Sequence, residues 1–123
     1  MGRFAVVIPR LPHHAHSHCF DEIADTVMEG LRDLGHDAFV ASPPLLPVDE
    51  PARCIVLGPH LWMEEVHGKL PEDAILYNFD QVDAPWVPPL VDRFRGHTLW
   101  DYSRRNVSFW QTRGLPAVYV PLG

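Results

Sequence analysis

Cysteine is scarce in this chain: 123 residues contain two, Cys19 and Cys54. Two thiols so far apart in sequence make neither a disulfide framework nor a CxxC site, and a pair of reduced thiols in a cytoplasmic protein is expected. Long apolar runs are missing too. None approaches the ~20 residues of a helical membrane span. Met1-Gly2-Arg3 leads at once into an apolar strand, without the charged, apolar and small-residue regions of a signal peptide. Positive charge is in deficit, with 10 Lys and Arg against 16 Asp and Glu and a net charge of −6. That balance argues against a nucleic-acid backbone as partner, which demands a basic surface. Several phosphate-binding and nucleophile motifs are absent as well. Pro9-Arg10-Leu11-Pro12 stands where a GxGxxG loop would follow the first strand, which counts against a bound dinucleotide, and GxxxxGK[ST], GxSxG and HExxH do not occur. No cofactor is expected.

What is present reads as one domain over residues 1–123, long enough to bury roughly two-thirds of its extended-chain surface. Its 13 prolines fall between apolar segments, so they act as stiff loop punctuation and not as a low-complexity tract. Phe4–Ile8, Ala38–Val40, Cys54–Leu57, Ala74–Tyr77, Thr98–Trp100 and Ala117–Val120 are short apolar runs of the kind buried on both faces of a parallel sheet. Between them, Phe20, Ile23, Ala24, Val27, Met28, Leu31 and Leu34 recur at helical spacing up to the Gly35 stop. Shorter helices are expected over Leu61–Val66, Leu90–Phe94 and Arg104–Thr112, the last opened by Ser103 as N-cap and closed by Gly114. Strands alternating with helices predict a Rossmann-like three-layer α/β/α sandwich around a mostly parallel sheet of about six strands.

In such a sheet, polar residues just past the carboxyl ends of strands line the ligand-binding rim. Three groups qualify. The loop after the first strand carries His13, His14, His16 and His18. Imidazoles there suit a transition metal, a ligand contact with acid–base chemistry, or simply a solvated loop. No Cys, Asp or Glu at ligand spacing joins them within the loop, so no metal site is assigned. His16 and His18 lie nearest the helix start, where amides draw anions. After the fourth strand come Asp80 and Gln81. Asp80 suits a general base or a sugar-hydroxyl contact, and equally a turn cap. After the fifth come Tyr102, Ser103 and Asn106: a helix cap in Ser103, and in Asn106 an amide that must find partners if buried. Arg104 and Arg105 beside them suit a phosphate or a solvated face.

Tyr77-Asn78-Phe79-Asp80-Gln81, Leu99-Trp100-Asp101-Tyr102-Ser103-Arg104-Arg105-Asn106 and Val120-Pro121-Leu122-Gly123, in that order, resemble the N-terminal, acceptor-side domain of bacterial glycosyltransferases of the two-domain GT-B type. The resemblance implies a domain that binds a small-molecule or glycan acceptor. It also implies that sugar transfer needs a second domain or chain holding the nucleotide-sugar, so the chain alone is expected to be inactive. On that reading His16, His18 or Asp80 takes the proton of an acceptor hydroxyl, and His13, His14, Gln81, Tyr102, Ser103 and Asn106 bind the acceptor. The rival is a non-catalytic subunit that keeps the fold. It would hold a partner or a second copy of itself through exposed aromatics such as Trp62, Trp86 and Trp110. A weaker third idea is a histidine-loop metal binder.

Overall fold

The computed structural model describes residues 2–9, 20–41, 52–62, 69–82 and 90–121. The histidine-rich loop with His13, His14, His16 and His18 therefore lies outside the described residues, as do Cys19, Trp86 and most of the helix expected over 61–66. Six strands form one sheet: β1 (Arg3–Val7), β2 (Asp37–Ala41), β3 (Arg53–Leu57), β4 (Ile75–Asn78), β5 (Thr98–Asp101) and β6 (Ala117–Tyr119). Every pairing is parallel, in the order β2-β1-β3-β4-β5-β6. The helices are α1 (Asp21–Asp33), α2 (Leu90–Phe94) and α3 (Arg104–Thr112), with a 3-10 turn at Pro59–Leu61.

Continuous apolar strands make two cores, because alternate side chains leave opposite faces of the sheet. Val6, Ile55, Leu57, Ile75 and Tyr77 face α1, which supplies Phe20 from its N-cap position, Ala24, Ile23, Val27 and Leu31. Val7, Val56, Leu76 and Leu99 face α2 and α3, which supply Phe94 and Trp110. The result is a Rossmann-like α/β fold with helices on both faces. Trp62 and Trp110 are 2% and 0% exposed, which corrects the expectation that they form an exposed aromatic surface. Both belong to the core on the α2–α3 side, where their large rings are buried among Val7, Val56, Leu76 and Leu99. Among the described residues no helix is long and apolar enough to cross a membrane.

The strand order matters for function. The chain steps from β1 outward to β2, then crosses to β3 and continues through β6 in the other direction. The reversal leaves a switch point at the carboxyl ends of β1 and β3, where open α/β sheets place ligands. Gly58, at φ 62°, turns the chain sharply after β3, and Phe20 packs against it so closely that a Cβ on Gly58 would lie 2.6 Å from the ring. The polar groups gather beyond this ring, at the ends of β3, β4 and β5.

Candidate functional site

Three loops meet at the carboxyl edge of the sheet. After β3 the Gly58-Pro59-His60 turn sends the His60 ring back toward β4, and its Nε2 lies 3.0 Å from Asp80 Oδ2. Either the neutral Nε2–H tautomer or the imidazolium donates a proton there, since Nε2 faces a carboxylate. The pair is only partly covered, with side-chain exposures of 18% for His60 and 26% for Asp80. Gln81 follows, and its Nε2 donates to the Tyr102 hydroxyl from the loop after β5. The Tyr102 ring stacks on Phe79 with centroids 6.2 Å apart, and Phe79 in turn lies against Phe20 and Tyr77. Burial pushes the Tyr102 phenol above its ordinary range, helped by Asp101 and Asp80, while the Gln81 contact works against the shift.

Beneath this rim lies a buried polar cluster centred on Asp101, the last residue of β5. Asp101, Asn106 and Asn78 are 0%, 0% and 2% exposed. The Asp101 carboxylate accepts four hydrogen bonds. Asn78 Nδ2 and Trp110 Nε1 donate to Oδ2 at 2.8 and 2.9 Å, and Ser103 N and Asn106 Nδ2 donate to Oδ1 at 3.0 and 3.1 Å. Burial raises the carboxyl above its ordinary value, and these four donors pull it back only in part. The cluster ties the sheet to α3, whose first turn is capped by Ser103 Oγ accepting from Asn106 N at 3.3 Å.

The same two amides hold Asp80. Asn78 Nδ2 and Asn106 Nδ2 both donate to the Asp80 carbonyl, at 2.9 and 2.8 Å, and Asn78 Oδ1 accepts from Asp80 N at 3.3 Å. Thus Asp80, Gln81, Tyr102, Ser103 and Asn106 stand together at one edge. They divide by role: Asp80, Gln81 and Tyr102 reach the partly exposed rim, whereas the Ser103 hydroxyl caps a helix and Asn106 has no exposed surface. Arg104 lies over the Tyr119 ring at 4.2 Å. Among the described residues no group of three or more His, Cys, Asp or Glu could hold a metal ion.

His60 is absent from the residues expected at the rim, although it too is a polar residue just past a strand's carboxyl end, as Asp80 is. The role of Asp101 has no signature in the sequence, because a carboxylate ending an apolar strand says nothing of its four donors until the helix and neighbouring strand are in place.

These features define the class of the domain, an open parallel α/β sheet with a carboxylate–imidazole pair at its carboxyl edge. Comparison of the chain with protein families, curated proteins and solved structures returned no match.

Proposed function

We propose that this chain is an acceptor-binding domain of the glycosyltransferase type, working with a second domain or chain that holds the activated sugar. The observation that carries the reading is the Asp80–His60 contact at 3.0 Å, partly open to solvent at the edge where parallel α/β sheets bind ligands. An ionised carboxylate offers about four lone-pair sites, so one held by an imidazole still accepts a hydroxyl proton. In the proposed reaction Asp80 takes the proton of the acceptor hydroxyl as its oxygen bonds to the anomeric carbon and the bond to the leaving diphosphate breaks. His60 fixes the carboxylate, and Gln81 and Tyr102 supply an amide and a phenol beside it. The Phe79–Tyr102 stack offers an aromatic flank of the kind a sugar ring packs against.

The test is titration of the isotope-labelled chain with simple glycosides. Shifts concentrated on Asp80, Gln81 and Tyr102, and lost in Asp80→Ala, are expected; shifts centred elsewhere would sink the reading. Incubation of the chain alone with activated sugars is expected to give no transfer.

A second reading, a subunit that pairs with another chain, is favoured by one observation. A cleft of about 270 Å³ between α1 and the β4–β6 face is lined by Val27, Leu31, Leu34, Tyr77, Trp100 and Val120. Leu34 and Val118 nearby are 77% and 49% exposed. Light scattering that found only monomer at high concentration would count against self-association through this face.

A further inference from the structure

Asp80 is presented by its own main chain, and that main chain is gripped from below. We propose that Asp101 is a positioning residue for the Asp80–His60 pair, acting through the side-chain amides of Asn78 and Asn106. The purpose assigned to the pair rests on the acceptor-binding reading above, whereas the mechanical link stands on geometry alone.

Each of the two amide groups bridges the same two acceptors. Asn78 Nδ2 spans 2.8 Å to Asp101 Oδ2 and 2.9 Å to the Asp80 carbonyl, and Asn106 Nδ2 spans 3.1 Å to Asp101 Oδ1 and 2.8 Å to that carbonyl. An amide nitrogen has two N–H donors, so both are used in each case. The orientation of each amide follows from this: turned over, either would point its oxygen at a carboxylate. Asn106 Oδ1 accordingly faces away and finds no hydrogen-bond partner among the described residues. Asn78 Oδ1 is left directed at Asp80 N, so one side chain clasps both backbone groups of Asp80.

An amide cannot stand in for the carboxyl group at position 101. A neutral amide there would turn an N–H₂ toward two of the four donors. Water does not soften the arrangement, since Asp101 and Asn106 have no exposed surface. The link then runs from a sealed carboxylate, through two amides, to the backbone of a partly exposed carboxylate whose Oδ2 meets His60. A purely structural Asp101 would fasten α3 to the sheet, through Trp110 and Ser103, and its replacement would leave the geometry of Asp80 unchanged, because Asn78 and Asn106 would still hold the Asp80 main chain.

The His60 Nε2–H proton distinguishes these roles. In the isotope-labelled full chain its exchange with water is slowed by the Asp80 contact, and Asp80→Ala identifies the signal by losing it. In Asp101→Asn, as in Asn78→Ala and Asn106→Ala, held well below their melting temperatures, exchange is expected to quicken at least tenfold. Ser103→Ala, which weakens the same helix end without touching either amide, is expected to leave it unchanged. A folded Asp101→Asn chain whose exchange quickens less than tenfold would overturn the proposal, whatever the two asparagine variants show. Should Asp101→Asn fail to fold, the milder Asp80→Asn carries the test from the other end. It is expected to shift the Trp110 indole N–H and the Asn106 side-chain amide signals, and unmoved signals would overturn the proposal equally. No sugar enters the experiment, so its failure is separable from failure of the acceptor reading.

Discussion

Asp80 and Asp101 stand at the ends of adjacent strands and share two amide neighbours, yet they live under opposite conditions. Asp101 is wholly buried and saturated by four N–H donors. Asp80 keeps about a quarter of its side chain exposed and meets an imidazole. The difference bears on what each can do. A sealed carboxylate with every oxygen engaged fixes geometry and has nothing left for a ligand, whereas one at a rim has lone pairs to offer. Burial makes Asp101 costly in itself, and its donors offset that cost only while all of them are in place.

The sharpest way to break the contrast is Asp101→Asn. It sets an N–H₂ against two donors and should cost about 3 kcal/mol, read by urea unfolding. Its pH signature is specific. The Asp101 carboxyl is raised in the folded state, so between its ordinary value and that raised value the folded chain holds the proton more tightly than the unfolded chain. Stability from this group is therefore greatest below the ordinary carboxyl range and falls as pH climbs through the raised value. The difference in stability between parent and Asp101→Asn should shrink as pH rises across that window, and a constant difference would remove Asp101 as the source.

Next in size is Gly58→Ala, which tests the exposed pair from its imidazole side. The added Cβ meets the Phe20 ring at 2.6 Å and the residue must hold φ 62°. A loss of about 2 kcal/mol is expected, together with a disturbed His60 Nε2–H signal.

Tyr77→Phe should cost about 1 kcal/mol, because the Tyr77 hydroxyl donates to the Val120 carbonyl at 2.6 Å. The Tyr77 phenol is pushed up to about 12, chiefly by burial, with Asp101 and Tyr119 adding to it. Stability from it is present below the ordinary phenol value near 10 and declines as pH rises toward about 12. Absorbance titration of the folded chain should lose its latest-ionising component in Tyr77→Phe.

The smallest stability effect belongs to Asp80→Asn, under about 0.5 kcal/mol, since the side chain is partly solvated. That same change should abolish glycoside binding. If Asp80→Asn proved as destabilising as Asp101→Asn, the division between a fastening and an offered carboxylate would collapse.

Much of this was legible in the residues. Ser103 reads as an N-cap and accepts from Asn106 N; Gly35 and Gly114 read as helix exits and adopt φ 91° and 82°. These are local statements, settled within a turn of chain. Asp80 and Gln81 fall at the sheet edge because they follow an apolar strand directly. The His60 contact and the Asn78–Asp101–Asn106 cluster were not legible. Each joins separate stretches of chain, and neither polarity nor periodicity says which polar residues will face one another.

Short apolar runs separated by helices have few ways to hide both faces, so the residues alone dictate the strands, the Ser103-capped helix and the parallel sheet. Which carboxylate is sealed and which stays partly open is settled on folding, when distant stretches of chain meet. That choice depends on where α3 seats Trp110 and Asn106 over the end of β5, and on the turn that carries His60 across to β4.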